Sequence, residues 1–266
     1  MYWQARFERI DIDLDIKEEI IKIRKQHPHY GYRRVHAELL NRGYKLNKKR
    51  TQRIYQELEM QINTYGRKYR KYNSYKGVKG RIEQNRINRR FHSRIPLQKI
   101  TTDTTEFKYY RIDRNGKLQI KKAYLDPFMD LYNLEIISFK ITKQPNGASM
   151  IEALQEAIEK TKDCPFRRTF HSDRGWAYQM HAYQDLLKEN KIFQSMSRKG
   201  NCYDNSPMEN FFGILKQEMY YGYVYKSFEE LSDAITSHIR YYNEERIKES
   251  LGYLSPVQYR RANTVV

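Results

Sequence analysis

Cysteine is nearly absent: of 266 residues only Cys164 and Cys202 carry a thiol. That excludes a disulfide framework. With seven histidines in no ligand spacing, it also excludes a zinc-finger module, and it suits a reducing, cytoplasmic setting. No run of about 18 apolar residues occurs, which excludes a membrane-spanning helix. The opening residues Met1-Tyr-Trp-Gln-Ala-Arg6 lack the apolar stretch of a signal peptide. Acids are scarce at first: residues 1–100 hold 26 Lys+Arg against 10 Asp+Glu, whereas residues 101–266 hold 24 against 22. The first part is therefore built to meet a polyanion, and the nearly neutral remainder can house a catalytic core.

Apolar spacing organises the chain. Residues 1–26 read as a helix with Ile16, Ile20, Ile21 and Ile23 on its apolar side. In residues 27–64, a helix lined by Val35, Leu39 and Leu40 stops at Gly43. A second helix capped by Asn47 then opens on Lys48-Lys49-Arg50. This pair fits a helix-turn-helix-like DNA-binding module, and spacing alone fits a plain helical hairpin equally well. Residues 65–96 form a basic, tyrosine-rich linker, in which Arg67, Lys68, Arg70 and Lys71 interleave with Tyr65, Tyr69, Tyr72 and Tyr75. Such a stretch can follow a DNA backbone while its rings stack.

From residue 97 the pattern is α/β. Strands are predicted at 98–108, 117–125, 134–142, 168–172 and 192–196, with helices over 148–160, near 180–190 and from Pro207. The order βββαβαβα implies a ribonuclease-H-like mixed five-stranded sheet with flanking helices over 97–222, followed by a helical extension over 223–266.

Three acids stand out in this frame. Asp103 lies in Ile100-Thr-Thr-Asp-Thr-Thr-Glu-Phe-Lys-Tyr109, Asp173 ends the strand Arg168-Thr-Phe-His-Ser172, and Glu209 opens the last helix. A central first strand, its neighbouring fourth strand and a helix over that edge can bring the three carboxylates together. Their hard oxygens suit two Mg²⁺ or Mn²⁺ ions, the set that clamps the attacking and leaving oxygens of phosphoryl transfer. Plainer readings compete. Ser206-Pro-Met-Glu209 also fits a capping box and Asp173 fits a turn. Asp126, Asp130 and Glu106 are competing acids, although Asp126 before Pro127 fits another turn and Glu106 falls on the opposite face of the strand from Asp103. Lys216, seven residues after Glu209, projects from the same side of a helix and suits a DNA phosphate.

These residues resemble a known family. Tyr30-Gly-Tyr-Arg-Arg34, Thr102-Asp-Thr-Thr105, His171-Ser-Asp-Arg-Gly175, Ser197-Arg-Lys-Gly-Asn-Cys-Tyr-Asp-Asn205, Glu209-Asn-Phe-Phe212 with Leu215-Lys216, and Tyr242-Asn-Glu-Glu-Arg246 before Leu251-Gly-Tyr-Leu-Ser-Pro256 recur in order and spacing. The chain resembles the second-reading-frame transposases of the bacterial IS-three insertion sequences, whose catalytic core is shared with retroviral integrases. The resemblance spans about residues 27–262. It implies a D,D(35)E site at Asp103, Asp173 and Glu209 that binds two Mg²⁺ or Mn²⁺ ions, with Lys216 at the transposon end. Arg174, next to Asp173, is a further candidate for DNA contact. The resemblance further implies double-stranded DNA as partner, a homo-oligomer on that DNA, and action as a fusion with, or beside, a first-frame product. Location would be the bacterial cytoplasm, at the nucleoid. The expected activity is cleavage at a transposon 3′ end and strand transfer. Alternatives are a structure-selective nuclease of the same fold and a DNA-binding regulatory subunit of the fusion.

Overall fold

The computed structural model describes residues 11–62, 82–113, 115–199 and 201–263. Contacts divide the chain into two units, Met1–Gly66 with Ile247–Tyr253, and Arg67–Arg246 with Leu254–Val266.

In the first unit, three helices share one core: α1 (Leu14–Gln26), α2 (Tyr32–Asn41) and α3 (Lys48–Glu57). Ile16, Ile20 and Ile23 recur at helical spacing and bury against Val35, Leu39, Ile54 and Tyr55. Tyr30 closes the core, and its hydroxyl accepts the Ile247 amide at 3.0 Å. The Asn47 side chain caps α3 by accepting the Arg50 amide at 2.7 Å. Gly43 follows α2 at φ 88°, the left-handed position where glycine carries no Cβ penalty. Leu40, expected on the apolar side, is exposed instead, because a helix this short buries only the stripe through Val35 and Leu39.

The second unit is built on a sheet of β1 (Lys99–Thr102), β2 (Thr105–Ile112), β3 (Leu118–Asp130), β4 (Ile136–Thr142), β5 (Thr169–Ser172) and β6 (Phe193–Met196). The strand expected over 98–108 is two segments. Both lie antiparallel along the same long β3, and the register runs through the gap: Thr102 pairs Phe128 and Thr105 pairs Leu125. Asp103 and Thr104 thus fall opposite Pro127 and Asp126, where proline has no N–H to give the ladder. Six segments therefore make the expected five ribbons, and the break sits at Asp103. Asp126, weighed as a turn residue, lies well inside β3 and is buried.

Alternation sorts the two faces. Phe107, Tyr109, Ala123, Leu125 and Met129 pack against α6 (Ser206–Leu215) and α7 (Phe228–Glu244). Ile100, Phe128 and Phe170 pack against α4 (Gly147–Lys160) and α5 (His181–Glu189). The chain ends its described part in α8 (Pro256–Asn263). No helix among the described residues is long and apolar enough to cross a membrane.

Candidate active site

Register brings the first two acids together. β1 and β5 are parallel neighbours, with Lys99 opposite Thr169 and Thr101 opposite His171. Two residues further on, the same register sets Asp103 beside Asp173, at the carboxyl ends of two central strands. Each acid is oriented by backbone: Asp103 Oδ1 accepts the Thr104 amide at 2.8 Å, and Asp173 Oδ1 accepts the Gly175 amide at 2.7 Å. Asp173 thus makes a turn and still faces the cleft. Close packing calls for glycine at 175, since a Cβ there would stand 2.9 Å from Asp173 Oδ1 and 3.3 Å from the Tyr178 ring.

The third acid arrives on α6. The capping box weighed from sequence, with Ser206 as the cap, does not form: the residue before the helix is Asn205, whose side chain makes no capping hydrogen bond. Asn205 works sideways instead. Its Oδ1 accepts the Thr101 hydroxyl at 2.5 Å and its Nδ2 donates to the Thr102 carbonyl at 3.0 Å. The helix start is therefore fastened to the strand that ends at Asp103, and Glu209, exposed one turn on, lies within electrostatic reach of Asp103.

Burial, then the Asp173 charge, push the Asp103 carboxyl well above its usual value, with smaller contributions from Glu209 and Asp126. Burial raises Asp173 as well. Asp126 is raised to about 6 by burial and accepts the Thr104 hydroxyl at 2.6 Å. The Tyr178 phenol is pushed up by burial and by these three aspartates. An open cleft of about 270 Å³ lies over them, lined by Asp103, Asp126, Asp173, Asn146, Trp176 and Tyr178. Among the described residues no three His, Cys, Asp or Glu side chains gather round a single point as the ligand set of one metal ion. The Asp103 carboxyl feels the charges of Asp173, Glu209 and Asp126, Asp173 most. Carboxylates held this close repel one another unless a cation or a proton joins them, and their hard oxygens suit a divalent ion.

The residues expected at DNA belong to several elements of the two units. Lys216 opens a π turn (Lys216–Tyr220), and its ammonium lies 5.1 Å from the Phe107 ring centre. Arg174 Nε donates to the Ser197 carbonyl at 2.7 Å. Lys48 and Lys49 are exposed at the start of α3, whereas the Arg50 guanidinium is committed to Asp13 at 2.6 and 2.9 Å. Arg67, Lys68, Arg70 and Lys71 lie outside the described residues. Sequence reasoning weighed Asp126 as a competing acid and as a turn residue; it lines the cleft, whereas Asp130 and Glu106 do not. It missed Tyr178 as a wall of the cleft and Asn205 as the tie between α6 and β1.

Residues 93–202 and 209–263 match the integrase core domain, and residues 11–69 match an HTH-like domain. A transposase-like protein of Haemophilus influenzae is 44% identical over 221 residues, 83% of this chain and 96% of the relative. The chain belongs to the IS-three insertion-sequence transposases. The InsK protein of insertion sequence element IS150 from Escherichia coli K12 is 39% identical over 247 residues, 92% of this chain and 83% of InsK. A chain of the simian T-cell lymphotropic virus intasome in complex with PP2A regulatory subunit B56 gamma shares the fold at TM-score 0.51 and 17% identity, over 93% of this chain and 76% of that one. The transposase is thus a nucleotidyl-transferring enzyme of the integrase type, with an HTH-like domain before its core. Asp103 and Asp173 fall inside the first core match, and Glu209 is the first residue of the second.

Gly175→Ala is expected to leave the transposase folded and to lower DNA cleavage about 100-fold, because displacing a reacting geometry by about 1 Å costs that much. Thermal unfolding and a gel assay on one preparation check it. Unchanged cleavage would show that the Asp173 carboxylate has no fixed task.

Proposed function

We propose that Asp103, Asp173 and Glu209 are the catalytic carboxylates of this transposase and hold two Mg²⁺ or Mn²⁺ ions. Water first opens a phosphodiester at a transposon end to leave a 3′-hydroxyl. That hydroxyl then attacks a target phosphodiester in a transesterification. The reading is carried by the in-register meeting of Asp103 and Asp173 with the Glu209 charge beside them. The raised carboxyls support it, because they fit a site whose charge balance a cation completes. When bound, the ions polarise the phosphate and lower the pKa of the attacking water or hydroxyl.

Everything else falls to the chain. The Thr104 and Gly175 amides hold the two aspartates in fixed directions. Asn205 holds α6, and with it Glu209, against β1. Buried Tyr178 and the exposed ring of Trp176 wall the cleft and limit water beside the phosphate. Lys216, Arg174, Lys48 and Lys49 are cations for the DNA backbone. Double-stranded transposon ends and target are the substrates, and a homo-oligomer, with or without a first-frame product, assembles on them.

The test is a gel assay on end-bearing oligonucleotides with Mg²⁺. Cleavage and joined strands are expected from the wild type and neither from Glu209→Gln. Joining that survives Glu209→Gln removes Glu209 from the site. Cleavage without any joining favours a nuclease.

A further inference from the structure

All three acid-bearing elements meet at one dipeptide, Asp204-Asn205, in the 3-10 turn Cys202–Asn205 that launches α6. The Asn205 side chain holds β1, as described above. The Asp204 carbonyl oxygen pairs with His171 Nε2 at 2.8 Å, two residues before Asp173 on β5. The Asp204 carboxylate is buried and takes five donors. They are the Arg198 amide and Nε at 2.9 Å, Arg198 Nη2 at 2.8 Å, Arg89 Nε at 3.0 Å and Asn85 Nδ2 at 3.0 Å. The Arg198 bonds above all keep this carboxyl well below the usual range, with Arg89 adding to them.

A charge buried at this depth is costly unless its hydrogen bonds are saturated, and here they are. Charged, two-pronged pairing also fixes the plane of the carboxylate, which a neutral contact would not. Arg198 is local, but Arg89 and Asn85 come from more than 110 residues earlier in the chain. Their segment lies along β6. Met196 donates to the Gln84 carbonyl at 3.4 Å, Arg86 donates from its amide to Ser195 Oγ at 2.9 Å, and its guanidinium stands 4.4 Å from the Phe193 ring centre. Ile87 is buried, and Arg89 Nη2 also reaches Asn201 Oδ1 at 3.1 Å. Nothing in the chemistry assigned above uses this brace.

We infer that Asp204 is a positioning residue for Glu209, gripped from outside by Arg89 and Asn85, so that residues 84–90 set the spacing between Glu209 and the Asp103–Asp173 pair. This rests on the carboxylate site proposed above. The Arg89 side chain is about half exposed (48%), so Arg89→Ala tests the grip without emptying the core.

The experiment is Mn²⁺ binding by the full chain without DNA, followed by electron paramagnetic resonance, with thermal unfolding on the same samples. Glu209→Gln is expected to weaken Mn²⁺ binding. Arg89→Ala is expected to weaken it about 10-fold, the usual scale for a support behind a metal ligand, and Arg89→Lys to recover part of that. In the Glu209→Gln background, Arg89→Ala should add nothing, since it acts through Glu209. Asp204→Asn should repeat the Arg89→Ala loss, and if it does not fold the Arg89 series decides. Wild-type Mn²⁺ affinity in Arg89→Ala, or losses that multiply in the double variant, overturn the inference while leaving the site intact. A wild-type chain that binds no Mn²⁺ overturns the site itself.

Discussion

Asp103→Asn should abolish both cleavage and strand transfer, with a loss of about 10³-fold or more in a Mg²⁺ gel assay, while the metal-free protein becomes more stable at neutral pH. The two effects share one cause. Burial, then the Asp173 charge, with smaller contributions from Glu209 and Asp126, raises the Asp103 carboxyl well above 3.8. A raised acid binds its proton more tightly when folded than when unfolded. Below about pH 4 both states hold the proton and the group costs nothing; as pH rises past that, the folded state carries an increasing penalty. Asparagine removes the penalty, so the gain in melting temperature should be small at about pH 3, below the unfolded value, and present at about pH 7.5. Mg²⁺ should raise the melting temperature of the wild type and not that of the variant, because only a ligand that binds the folded state stabilises it. A variant that still joins DNA strands, or that melts lower than wild type at pH 7.5, contradicts the assignment of Asp103.

Arg246→Ala should be the most damaging single change to stability, at about 3–5 kcal/mol, or roughly 6–20 °C in melting temperature for a unit of this size. Arg246 and Glu218 are both buried and make three hydrogen bonds: Nε to both carboxylate oxygens at 3.0 and 2.9 Å, and Nη2 to Oε1 at 2.6 Å. His238 stands 3.7 Å from the same carboxylate. Removing the guanidinium leaves the Glu218 charge without its main partner in a low-dielectric interior, and that cost exceeds the worth of the pair itself. A compensated double change, Glu218→Gln with Arg246→Met, should therefore restore much of the loss. Thermal unfolding of the three variants checks the order, and a single variant as stable as wild type would show that the pair is solvated. The motif Tyr242-Asn-Glu-Glu-Arg246 thus serves packing. Its Asn243 side chain likewise satisfies both backbone groups of Ile136 on β4 at 2.9 Å.

Much of this was legible in the chain because it is local. Alternation marked the strands, Asn47 and Gly43 bounded the short helices, and the order βββαβαβα set the topology before any coordinate. The acids were legible for another reason: Thr102-Asp-Thr-Thr105, His171-Ser-Asp-Arg-Gly175 and Glu209-Asn-Phe-Phe212 are short motifs whose order and spacing are read along the chain. The first strand's length was not, since nothing within residues 98–108 says that Pro127, on a different strand, will stand opposite Asp103 and open the ladder. Asp126 before a proline reads as a turn until β3 is seen to carry it through the sheet. Glu209 reads as a cap until Asn205 is found turned toward Thr101.

By itself, the sequence determined the kinds of elements, their order, the basic N-terminal part and the three acids available for chemistry, because periodicity, charge and motif spacing act between near neighbours. The tertiary structure alone decided which acids meet, what raises their carboxyls and what holds Glu209 in place. Those outcomes depend on registers between strands and on side chains such as Arg89 and Asp204, which lie far apart along the chain and gain their meaning only when packing excludes water between them.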